Sequence, residues 1–131
     1  MRIAADTNAL VRIAIQDDVR QMRKAQRALE GAELVAISTP ALCEFAWVMT
    51  KGCKQPTALV AAGIRYFLAA ANVETDRNAV EAGLAMLDAG GDFADGVIAY
   101  EGRALGAQMF VSFDKKAVAH LEQQVKATLL L

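Results

Sequence analysis

An α/β fold is predicted by three observations. Short β-type runs alternate with longer helical patterns along the chain. Glycine, proline and helix-capping residues fall between them. Apolar residues reach 55% against 22% charged. Such alternation argues for a parallel sheet covered by helices on both faces. The 131 residues fit a single domain, 1–131, with a real core, and the composition excludes intrinsic disorder.

The strand candidates, in order, are residues 2–5, 34–38, 72–74, 108–112 and 126–130. Helical patterns occupy residues 7–15, 18–31, 40–51, 57–71, 77–89 and 92–105, with a shorter one at 115–123. Thr39-Pro40 reads as a cap followed by proline at the first helical position. Asp76 is placed to cap the helix from Arg77, Gly90-Gly91 ends it, and Asp92 starts the next. Gly31 and Gly106 stand where left-handed C-terminal caps are expected.

A formal net charge of −1 provides no global attraction to nucleic acid, so any basic surface must be local. The longest apolar stretch, 58–71, is broken by Arg65 and falls short of the roughly 20 residues a membrane span needs. Asp6 interrupts the apolar N-terminus before a signal-peptide core can form. Cys43 and Cys53 would lie about 15 Å apart on one helix, too far for a disulfide. A reduced, cytoplasmic protein is expected.

Four acids sit in apolar sequence where a charge is costly: Asp6, Glu44, Asp95 and Asp114. A carboxylate in such surroundings is neutralised by a shifted pKa or held by a cation. Asp6 follows the first strand and Asp114 the fourth, at the strand edge where α/β sheets bind ligands. Each could equally cap the helix that follows. Glu44 is the sole charge between Thr39 and Thr50; the alternative is an exposed glutamate on a polar stripe. Asp92 and Asp95, three apart, share a helix face. Asp92 suits a cap and Asp95 a ligand, because small Gly96 beside it permits close approach.

Two carboxylates 4 Å apart repel by about 4 kcal/mol at an effective dielectric near 20. A hard divalent cation, Mg²⁺ or Mn²⁺, relieves such crowding through oxygen ligands. Zinc fits poorly: His120 is the only histidine, and the cysteines lack ligand spacing. His120 itself reads as a surface or capping residue.

Asp6-Thr7-Asn8 after an opening strand, Glu44 in an apolar helix, Ala94-Asp95-Gly96-Val97-Ile98-Ala99, and Val111-Ser112-Phe113-Asp114 carry a resemblance. In order and spacing they resemble the PIN-domain nuclease family, and within it the VapC-type toxins of type II toxin–antitoxin pairs. The resemblance implies an α/β/α sandwich with a five-stranded parallel sheet and metal-dependent cleavage of single-stranded RNA. It maps the acidic quartet onto Asp6, Glu44, Asp95 and Asp114, favouring Asp95 over Asp92. It also implies Mg²⁺, with Mn²⁺ as a substitute, a homodimer, and a cognate antitoxin that plugs the acidic groove. Asn8, Ser112 and Asp92 would orient ligands or water behind the metal ligands.

Arg20, Arg23, Lys24 and Arg27 follow helical spacing and form one basic stripe, with Arg12 just upstream. Lys115 and Lys116 follow Asp114 directly. These residues are the candidate RNA contacts; the bland alternative for the stripe is a solvated helix face. Two rival readings come from other classes. A phosphorelay receiver would need paired acids after the first strand and a phosphoacceptor after a middle one, and the chain has neither. A catalytically silent PIN-like module that binds RNA or protein would have no need of a self-repelling acidic set.

Overall fold

A computed structural model describes residues 1–124 and 126–131. The chain divides into two compact units, Met1–Asp76 and Arg77–Leu131. In order, the elements are β1 (Arg2–Ala4), α1 (Thr7–Ile15), α2 (Val19–Glu30), β2 (Leu34–Ala36), α3 (Thr39–Trp47), a π-helical segment (Val48–Gly52), α4 (Thr57–Ala69), β3 (Val73–Glu74), α5 (Arg77–Asp88), α6 (Phe93–Ala104), β4 (Phe110–Ser112), α7 (Lys115–Gln123) and β5 (Thr128–Leu130). Every expected element is present, and the α/β alternation holds.

In the first unit the strands pair in parallel in the order β1-β2-β3, with Ile3 opposite Val35 and Val35 opposite Val73. Central β2 supplies buried Val35 and, just past its end, Ile37. Leu10 and Ile13 of α1, Leu42 and Phe45 of α3, and Val60, Ile64 and Phe67 of α4 complete this core. Phe45 and Phe67 meet edge to face with ring centroids 5.5 Å apart, a favoured aromatic geometry. The Asn72 side-chain amide donates to the carbonyls of Leu29 and Ala32, both at 2.9 Å, fastening the end of α2 to the start of β3.

In the second unit β4 and β5 pair in parallel, Phe110 opposite Thr128, with α7 as the crossover. Helices α5 and α6 pack unusually closely. A Cβ added at Gly96 would lie 2.3 Å from the Ala82 carbonyl oxygen, and one at Gly83 would lie 2.5 Å from the Phe93 ring. The small residue beside Asp95 therefore admits helix backbone.

Four expectations need correction. The five strands form a three-stranded and a two-stranded parallel set, not one five-stranded sheet. Among the described residues each ladder is only two or three residues long and joins strands linked by their own crossover. The 40–51 helix is not uniform. The Thr50 hydroxyl donates to the carbonyls of Ala46 (2.7 Å) and Trp47 (3.4 Å), and the chain widens into the π segment, closed by the Cys53 amide on Val48. Ser38, not Thr39, caps α3, its hydroxyl accepting from the Ala41 amide; Pro40 stays in the first turn. Gly31 ends α2 in the right-handed region (φ −81°), because its amide still reaches Arg27, whereas Gly106 (φ 108°) is left-handed as expected.

Candidate functional site

Asp6 stands just past β1 at the start of α1, exposed, and its Oδ1 accepts from the Ala9 amide at 3.0 Å. This is an N-cap, one of the two roles open to it. Thr7 behind it is 7% exposed, and its hydroxyl donates to the Ala41 carbonyl at 3.3 Å. That bond joins the first turn of α1 to the first turn of α3, the helix bearing Glu44. Sequence reading assigned Thr7 no role; a β-branched hydroxyl residue at a buried helix start was the available signal. Asn8 is exposed in the same turn.

Glu44 is exposed as well. Its sequence neighbours Leu42, Phe45 and Ala46 are buried, so the apolar flanks belong to the other side of the helix. Pro40, Glu44, Trp47 and Lys51 form the exposed stripe, which is the alternative reading of this glutamate. Exposure leaves its carboxylate open to a ligand.

The second unit brings three acids together. Asp92 caps α6, Oδ1 accepting from the Ala94 amide at 2.9 Å. Asp95 lies one turn further on, half-buried and without a capping role. Burial, then repulsion from Asp92 and from Asp114, raises its pKa from 3.8 to about 6. Asp114 caps α7, Oδ1 accepting from the amides of Lys116 (2.9 Å) and Ala117 (3.2 Å). The Ser112 hydroxyl accepts from the Asp114 amide at 2.9 Å and fixes the chain just before that cap.

Among the described residues no three His, Cys, Asp or Glu side chains are disposed to hold a metal ion as they stand. Asp6, Asp92 and Asp114 each turn an oxygen to helix amides. Within the second unit the donor set nevertheless suits a hard divalent cation. It is all carboxylate, one oxygen of each capping acid lies outside the cap, and Asp95 carries repulsion that a cation would cancel. Among the described residues, Cys43 and Cys53 take part in no disulfide.

Of the basic residues, Arg20, Arg23, Lys24 and Arg27 are exposed on α2 and line a depression of about 520 Å³ with Asp18 and Gln21. Arg12 instead pairs with Asp17 at 3.2 Å. Lys115 and Lys116 are exposed in the first turn of α7. No helix among the described residues is long and apolar enough to cross a membrane.

A search among curated proteins finds no match. Comparison with known protein families matches residues 3–122 to the PIN domain, a span that includes all four acids and both units. PIN domains are typically metal-dependent nucleases, and the chain belongs to the PIN domain family.

Proposed function

We propose that this chain is a divalent-metal-dependent endoribonuclease, the toxin of a VapC-type toxin–antitoxin pair, that hydrolyses phosphodiester bonds in single-stranded RNA. The observation that carries the reading is Asp95. Asp6, Asp92 and Asp114 each contribute a helix cap, which a silent binding module would also retain. Asp95 caps nothing and is held half-buried against two other acids, a cost with no structural return. Within a PIN domain, a metal ligand explains it.

Asp6, Glu44, Asp95 and Asp114 are the acids that would hold the cation, with Mg²⁺ the physiological choice and Mn²⁺ a substitute. Bound there, the ion would lower the pKa of a coordinated water and offset charge on the scissile phosphate. Ser112 holds the Asp114 amide and so the backbone from which that carboxylate projects. Asn8 and Asp92 orient groups behind the ligands. Arg20, Arg23, Lys24 and Arg27 bind the RNA backbone, and Lys115 and Lys116 meet phosphate close to Asp114; Arg12, already paired, contributes less. The chain works as one nuclease domain in the cytoplasm, as a homodimer. A cognate antitoxin blocks it by presenting an arginine to the acids, a strong pairing once desolvated.

The test is cleavage of single-stranded RNA by antitoxin-free protein with and without Mn²⁺, beside Asp6→Asn and Asp95→Asn. Wild type should cut only with metal, and both variants should be inactive. A wild type inert in every divalent cation defeats the nuclease reading. Activity retained in Asp95→Asn but lost in Asp92→Asn transfers the ligand role to Asp92.

A further inference from the structure

Trp47 is 61% exposed, in the stripe that carries Pro40, Glu44 and Lys51. Tryptophan is highly buried on average, so a mostly solvated indole requires an explanation. Aromatic pairs in the described structure join Phe45, Phe67 and Tyr66, and Trp47 belongs to neither. It stands three residues after Glu44, one helical turn on the same face. Lys51 lies one further turn along, in the π segment, and is exposed too. A carboxylate, a flat ring and a cation thus follow one another along a single face of the first unit.

We infer that Trp47 is a base-stacking platform for single-stranded RNA, one turn from Glu44, with Lys51 neutralising the adjoining phosphate. This rests on the nuclease reading and deepens it by naming a residue that binds the substrate's bases. An unpaired base exposes a π face of its own, and stacking on an aromatic side chain is the usual way proteins hold it. Exposed Lys51 on the same stripe supplies a cation for the phosphate that accompanies a stacked base.

Trp47 is the only tryptophan of the chain, so fluorescence excited beyond the tyrosine absorption band reports on this ring alone. The full-length protein in EDTA, where cleavage is suppressed, is titrated with a mixed-sequence single-stranded RNA oligonucleotide and, separately, with heparin. RNA should quench the emission saturably, and heparin, which binds by charge alone, should not. Measured by the anisotropy of an end-labelled oligonucleotide, which does not need the indole, Trp47→Ala should weaken RNA binding about tenfold or more, and Trp47→Phe should restore most of it. RNA binding without quenching, or with equal affinity in Trp47→Ala, overturns the inference. A changed oligomeric state in Trp47→Ala with unchanged RNA affinity also overturns it and assigns the ring to a protein interface. If metal-loaded wild type cleaves RNA and these tests fail, only the stacking role falls. If wild type neither binds nor cleaves RNA, the nuclease reading falls and the stacking role with it.

Discussion

The hydroxyl of Thr7 donates to the carbonyl of Ala41 at 3.3 Å, fastening the turn behind Asp6 to the turn before Glu44. That buried bond links the two helix starts that carry these candidate ligands. Thr7→Val keeps the shape and removes the donor. It should lower unfolding free energy by about 1 kcal/mol, the usual worth of such a bond, and Thr7→Ser should recover most of the loss. Urea unfolding at neutral pH measures both. A Thr7→Val midpoint equal to wild type would mean that the bond contributes nothing.

Asp95 sets a pH dependence whose sign is fixed. Its pKa is 3.8 when unperturbed and about 6 in the fold, so the folded chain keeps a proton that the unfolded chain releases. The associated stability is complete below about pH 3.8 and is lost as pH rises through about 6. Metal-free protein should therefore show a fall in stability across that window that Asp95→Asn lacks. Saturating Mn²⁺ should restore stability above pH 6 in wild type alone. Thermal melts at several pH values, with EDTA or metal, would show it.

Asp114 separates capping from ligation. Asparagine caps as well as aspartate but carries no charge. Asp114→Asn should keep metal-free stability within about 0.5 kcal/mol of wild type, lower the pKa of Asp95, and abolish cleavage. Asp114→Ala should additionally cost about 1 kcal/mol, because the amides of Lys116 and Ala117 lose their acceptor. Carboxyl NMR titration and denaturant melts resolve the two effects.

Gly96 tests the close packing behind Asp95. A methyl group there would meet the Ala82 backbone oxygen at 2.3 Å, and backbone cannot swing aside as a flexible side chain would. Gly96→Ala should destabilise by about 2–3 kcal/mol, the upper range for an overpacked core. Because α6 must shift to accept it, metal affinity should drop as well. Calorimetric titration with Mn²⁺ on folded variant checks the second effect.

Much of this was legible in the sequence, for local reasons. Helices α1 and α7 begin and end where apolar spacing and flanking acids place them, since an N-cap is read from a residue and its next three neighbours. The family followed from four short motifs in order, and the 3–122 match bears it out. The pairing of strands was not legible, because ladders of two or three residues leave little pattern to show which strands adjoin. Nor was the face of Glu44. Alanine flanks hide the amphipathic period, so a glutamate between apolar residues looked buried although it lies in an exposed stripe with Trp47. Thr7 escaped notice because its partner is a main-chain carbonyl 34 positions away, which no local spacing reveals.

Three of the acids, Asp6, Asp92 and Asp114, sit at helix starts with an oxygen on main-chain amides. The partial positive charge of each helix end counters the carboxylate when no cation is near. On the nuclease reading, chelation should therefore remove activity and leave the fold standing. Added metal should then restore cleavage without a refolding step.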